Sequence, residues 1–242
     1  MHWRISSIEF GGRAALNGTF EYQRRPGSAR DIAYRAWLLD SGDRRILVDT
    51  GPPPAEAAAR GMSIARSLAD ILPAETIAGI TDVVLTHAHW DHMGNLGDVL
   101  SARVWLLRAE WEFIASDYLR FGAVGDYYGS PDALHRAHRE GRLSLVEGAG
   151  EVVPGIQYLW TGGHTPGHQV VLVDTAEGLA VLCGDLIPVA DNMRNATAPG
   201  VFTNLLQVID GIERIKQLDP AMLYTGHDLA PVPVTMSSLK TN

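Results

Sequence analysis

Cysteine and lysine are scarce in this chain of 242 residues: one cysteine, Cys183, and two lysines, Lys216 and Lys240. A lone thiol cannot close a disulfide within the chain, and it suits a reducing compartment. A chain of this length needs no cross-links, because it can bury a sizeable core. Uninterrupted apolar runs of about 18 residues are missing too, which argues against a membrane span. Residues Met1 to Phe10 carry Arg4 and Glu9 and no apolar core, so no signal peptide is expected and the cytoplasm is the expected location. Positive charge is also short, at 20 basic against 28 acidic residues, a formal net charge of −8. That speaks against a nucleic-acid partner, which would require a basic patch.

What remains is ordinary globular composition, 46% hydrophobic and 20% charged, and we expect one domain over residues 1–242. Tyr34 to Leu39 and Ile46 to Asp49 read as strands around the turn Ser41-Gly42-Asp43. A helix is predicted from about Ala55 to Leu72, ending before Pro73, and another from Arg108 to Leu119. Asp82 to Thr86 has the apolar pattern of a strand buried on both faces, and Arg103 to Leu107 is a further strand. Ser130 and Pro131 open a helix that Gly141 ends. Strands follow at Leu143 to Val146, Ile156 to Trp160, Val170 to Asp174 and Leu179 to Leu182. Thr203 to Leu218 is helical and Met222 to Tyr224 is a last strand. Two groups of strands, each followed by helices, fit helices packed outside two facing sheets.

Residues 86 to 92 read Thr-His-Ala-His-Trp-Asp-His, directly after an apolar strand. His87 and His89 are two apart, so extended geometry puts both on one side of the chain. Imidazoles this crowded would repel one another if protonated, and a divalent cation removes the conflict. His164, Asp185 and His227 each follow a strand end beside glycine, which lets backbone approach a shared centre.

His-x-His-x-Asp-His followed in order by His164, Asp185 and His227 resembles the metallo-β-lactamase-fold hydrolases, as does Ile46-Leu47-Val48-Asp49-Thr50-Gly51. The resemblance spans Tyr34 to Asp228 and implies an α+β fold, a four-layer αββα sandwich with metals at one edge of the sheets. It implies that His87, His89 and His164 hold one metal, that Asp91, His92 and His227 hold a second, and that Asp185 bridges them. Two zinc ions are the expected cofactors, with other divalent metals able to exchange in. A bridging hydroxide would attack the substrate carbonyl, with Asp91 or Asp185 shuttling the proton.

Size, the segment Asp191 to Asn195 and the lack of large insertions make the chain most similar to the N-acyl-homoserine-lactone lactonase branch. That implies a small lactone substrate, with no nucleic acid or membrane as partner, and related lactonases are sometimes homodimers. Pro188 departs from the pattern, standing where well-known lactonases carry a tyrosine that contacts the substrate carbonyl. Tyr127, Tyr128 or Asn192 replaces that donor, or the ring hydrolysed is a different one. Thioester or phosphotriester hydrolysis is the alternative chemistry, β-lactam cleavage a weaker one, and binding without turnover the non-enzyme alternative.

Other residues are read more plainly. Asp49 orients the metal loops rather than binding metal, and His168 braces its loop. His135 and His138 belong to a solvated helix face, and Cys183 is a buried, inert thiol. Trp90 either lines the substrate mouth or packs behind the metal loop. Phe121 to Gly129 is the candidate for an apolar lid.

Overall fold

The computed structural model describes residues 2–230. Its strands form two sheets. β1 (Arg4–Leu16), β2 (Ala29–Asp40), β3 (Arg45–Val48), β4 (Ile80–Val84), β5 (Arg103–Leu107) and β6 (Leu143–Val146) make one, in that spatial order. β7 (Ala149–Val153), β8 (Ile156–Trp160), β9 (Gln169–Thr175), β10 (Gly178–Leu182) and β11 (Met222–Tyr224) make the other, in the order β11-β10-β9-β8-β7. By internal contacts the chain divides into two units. The first comprises Arg4–Gly12 and Tyr34–Glu147; the second comprises the residues up to Trp3, Arg13–Ala33, and the described residues from Gly148 onward.

In the first unit, β3 and β4 are short and apolar because both faces are covered: Leu47, Val48, Val83 and Val84 have no exposed surface. β3 lies parallel to β4, with Val48 opposite Val84, and antiparallel to β2, with Val48 opposite Trp37. The parallel pairing brings the ends of β3 and β4 to one sheet edge. Asp49 leaves from that edge, and so does the segment that carries His87.

The single helix expected from Ala55 to Leu72 is instead two helices, Pro54–Ala59 and Leu68–Ile71. Gly61, at φ +86°, ends the first in a conformation that favours glycine. A capping box starts the second: Ser67 Oγ accepts from the Asp70 amide at 3.2 Å, and the Asp70 carboxylate accepts from the Ser67 amide at 2.8 Å. The helix expected to reach Leu119 spans only Arg108–Ile114, because Ser116 caps a separate turn at Asp117–Arg120. The helix after Pro131 runs Asp132–Arg139 and is followed by Gly141 at φ +71°.

In the second unit, β10 and β11 are parallel, with Leu182 opposite Tyr224. β9 is antiparallel to both its neighbours, with Trp160 opposite Gln169 and Leu182 opposite Val171. One sheet edge therefore collects the end of β8, the start of β9 and the ends of β10 and β11. The loops bearing His164, Asp185 and His227 all leave from it. Helix Leu205–Gln217 packs Val208, Ile212 and Ile215, at helical spacing, with Val181 and Leu223 in the core. Burying each such side chain contributes about 1.5–3 kcal/mol. Asn204 caps this helix, its Oδ1 accepting from the amides of Leu206 and Gln207. Among the described residues no helix is long and apolar enough to cross a membrane.

Candidate metal centre

The first unit supplies His87, His89, Asp91 and His92. The three imidazoles are buried, with ring centroids 4.5 Å apart for His87 and His89 and 4.1 Å apart for His87 and His92. Asp91 lies beside them, its Oδ2 3.9 Å from His92 Nε2. Three cationic rings at this spacing would be strongly unfavourable, so the cluster is built for neutral imidazole.

Hydrogen bonds decide which ring nitrogen carries the proton. Asp49 Oδ2 accepts from His92 Nδ1 at 2.8 Å, and a carboxylate cannot donate, so the proton sits on Nδ1. The Thr86 hydroxyl donates its one proton to the Asp49 carboxylate, so its oxygen accepts from His87 Nδ1 at 3.1 Å. Holding Nδ1 in this way is the usual means by which a protein orients an imidazole whose Nε2 is to meet a metal.

The second unit supplies His164, Asp185 and His227, and the same logic holds. His164 Nδ1 donates to the Val201 carbonyl at 2.8 Å, and His227 Nδ1 donates to the Ala33 carbonyl at 3.0 Å. Asp185 faces the other nitrogen of both rings: its Oδ2 is 3.5 Å from His164 Nε2 and its Oδ1 is 3.1 Å from His227 Nε2. The two carboxylate oxygens of Asp185 thus address two different imidazoles.

Glycines make the approach possible. A Cβ on Gly226 would lie 2.7 Å from Asp185 Oδ1 and 2.9 Å from the Gly184 carbonyl. Gly163, at φ +82°, accepts from the Thr203 and Asn204 amides, and a Cβ there would meet the Val208 amide nitrogen at 2.5 Å. The loop of His164 is thus seated directly on the start of helix Leu205–Gln217.

His168 is fully buried and braces the centre without joining it. Its Nδ1 donates to Thr161 Oγ1 at 2.8 Å and its Nε2 accepts from the Asp185 amide at 3.1 Å. Cys183 is fully buried two residues before Asp185, and burial pushes its thiol up.

Buried neutral imidazoles presenting Nε2 alongside carboxylates are the donor chemistry of zinc and similar divalent ions. Among the described residues, histidine and aspartate side chains form two groups that could each hold a metal ion.

Several neighbouring residues are placed differently from the expectation, or more definitely. Trp90 packs behind the metal loop: it is buried, 5.4 Å from the Tyr34 ring, with the Arg60 guanidinium 4.5 Å from its centroid. Asn192 is withdrawn as a substrate donor, because its buried amide holds the Phe20 and Thr197 carbonyls and the Val189 amide. His135 is half-buried rather than solvated, 5.4 Å from the Trp111 ring, while His138 is exposed as expected, its ring 5.0 Å from that of Trp111. The segment considered as a lid is pinned at its far end, where the Trp90 amide donates to the Tyr127 carbonyl and His89 pairs with Tyr128. Its near end is open, with Phe121 exposed.

Glu110 was not singled out by sequence reasoning. It is fully buried in helix Arg108–Ile114, and its carboxylate accepts from the Ala88 amide, between two of the imidazoles, at 3.0 Å.

The profile of the Metallo-beta-lactamase superfamily matches residues 31–227. An N-acyl homoserine lactonase of a Bacillus species is 28% identical over 226 residues, covering 84% of each chain. The crystal structure of a quorum-quenching N-acyl homoserine lactone lactonase superposes with a TM-score of 0.81 at 23% identity, covering 95% of this chain and 94% of that one. An N-acyl homoserine lactone hydrolase with the product N-hexanoyl-L-homoserine bound at its catalytic metal centre gives a TM-score of 0.77 at 22% identity, covering 95% of each.

Proposed function

Because the chain belongs to the metallo-β-lactamase superfamily, we propose that it is a dinuclear metallohydrolase that opens a lactone ring, with N-acyl homoserine lactones as its substrate class. The two-sheet α+β fold expected from the resemblance is the fold of that superfamily, and membership makes the chain a metal-dependent hydrolase. In this reading His87, His89 and His164 hold one ion, Asp91, His92 and His227 hold the other, and Asp185 bridges them. The observation that carries it is Asp185, with one carboxylate oxygen toward His164 and the other toward His227.

Zinc is the preferred ion for so nitrogen-rich a set. Two bound divalent ions would supply hydroxide near neutral pH and polarise the ester carbonyl. The chain's own residues prepare for this. Asp49, Thr86, Val201 and Ala33 hold four imidazoles in one tautomer. Two ligand carboxylates would stand against two dications, so an occupied ligand set would be net positive, which would favour an anionic nucleophile and the developing oxyanion. In this reading Asp91 or Asp185 carries a proton to the departing alkoxide.

The lactone ring as substrate is supported by the relatives' names over most of their length. Pro188, in place of the expected tyrosine, uses its carbonyl to accept from the His227 amide at 2.6 Å and so helps set that ligand. Tyr127 or Tyr128 then serves as the carbonyl donor, their rings lying 5.4 and 4.8 Å from that of His89. We place this single hydrolase domain in the cytoplasm and allow a homodimer, which sedimentation would test.

The decisive experiment loads purified protein with zinc, counts metal per chain, and titrates acid released from γ- and δ-lactones, N-acyl homoserine lactones of varied chain length among them. About two ions per chain with acid release is expected. Two ions and no acid from any lactone would end the substrate assignment, and no metal would end the dinuclear one and leave binding without turnover.

A further inference from the structure

Glu110 is a fully buried carboxylate for which the proposed chemistry has no use. Burial of such a group is unfavourable unless hydrogen bonds satisfy it. One of its oxygens, Oε1, accepts twice: from the Ala88 amide at 3.0 Å and from the Tyr128 hydroxyl at 3.3 Å. Both partners touch the metal loop. Ala88 is itself fully buried between His87 and His89, so the orientation of its peptide sets where both imidazoles project. Tyr128 stands edge-on to His89, with ring centroids 4.8 Å apart and planes at 85°, and pairs with it through an isolated antiparallel bridge. Helix Arg108–Ile114 follows β5 directly, which gives the carboxylate a rigid base.

We propose that Glu110 is a positioning residue for the metal loop. By holding the Ala88 amide and the Tyr128 hydroxyl on one oxygen, it fixes the directions of His87 and His89 and controls how tightly their ion is kept. The inference rests on the dinuclear reading and adds a determinant of metal retention outside the ligand set. A buried acceptor is what the geometry needs at this position, and charge is secondary. Gln keeps an acceptor oxygen at the same reach, Asp keeps the charge but is one methylene too short, and Ala keeps neither.

The test loads parent and variants with cobalt(II), counts metal per chain, and follows its transfer to a chelator by cobalt's visible absorption. Glu110→Ala and Glu110→Asp should release one of two ions about 10–100-fold faster than the parent while the other leaves at the parent rate. Glu110→Gln should behave as the parent. Parent-like release of both ions from folded Glu110→Asp, or equal acceleration of both, overturns the proposal. Should Glu110→Ala fail to fold, the Asp and Gln variants decide. A parent chain that takes up no cobalt overturns the dinuclear reading and this inference with it. A parent that takes two, with variants unchanged, overturns this inference alone.

Discussion

The Asp49 carboxylate accepts the Nδ1 proton of His92 at 2.8 Å from a backbone held at φ +60°. That left-handed conformation costs a non-glycine residue about 1–2 kcal/mol, less for Asp and Asn, whose side chains bond locally. The cost is offset because the same carboxylate takes the Thr86 amide at 2.7 Å and the Thr86 hydroxyl at 2.8 Å. One residue at the end of β3 thereby sets the tautomers of two imidazoles carried on the loop beyond β4.

Asp49→Asn tests that role without disturbing the backbone, since asparagine tolerates the same φ. An amide has one acceptor oxygen, so it cannot serve both Thr86 and His92. We expect a folded protein whose metal affinity is about 10–100-fold weaker, measured by competition with a chelator. Parent-like affinity would show that His92 needs no such anchor.

Much of this centre is legible in the sequence because its signals are local. Imidazole spacing in residues 86 to 92 and glycine beside His164, Asp185 and His227 require no knowledge of distant contacts. Glu110 was illegible for the opposite reason. A single acid on a short helix reads as a solvated residue until its partner, 22 positions earlier, is folded against it. The half-burial of His135 is hidden for the same reason, since nothing near it in sequence announces Trp111. β1 escaped notice because only Ile8 and Phe10 of its thirteen residues are buried and Gly11-Gly12 interrupt the alternation.

Asp185→Asn removes bridging charge while preserving shape. The fold should survive, seen as an unchanged far-ultraviolet spectrum, while turnover falls by orders of magnitude. Near-normal turnover would rule out the bridge.

Gly226→Ala addresses the same carboxylate from the backbone side. Its new methyl would sit 2.7 Å from Asp185 Oδ1, so the carboxylate or the loop must shift. Overpacking of this kind costs about 1–3 kcal/mol, and a misplaced bridge lowers kcat more than it raises KM. Urea unfolding together with steady-state kinetics checks both; a variant matching the parent in each would mean the loop has slack.

A last prediction concerns stability in the second unit. Arg30 donates to Asn17 at 2.7 Å, to Glu21 at 2.9 Å and to Asp191 at 2.7 Å, and Glu21 is fully buried. Asn195 donates to the other Glu21 oxygen at 2.7 Å. Arg30→Met removes the cation but leaves Glu21 inside, so a loss of about 3–5 kcal/mol is expected in urea unfolding. Lysine should not rescue it, since a single ammonium cannot reproduce the fork that reaches three acceptors. Asp191 adds a pH signature. Burial pushes its carboxyl up, but hydrogen bonds and charge from Arg30 and Arg194 outweigh burial and hold it below its ordinary value of 3.8. A depressed folded value contributes stability above the unfolded one and loses it as pH falls through the folded one. Asp191→Asn should therefore cost about 0.5–1 kcal/mol near neutral pH, discounted for partial exposure, and the difference from the parent should shrink as pH drops below about 4. A gap that widens on acidification would mean that Asp191 is not held in its charged form by these arginines.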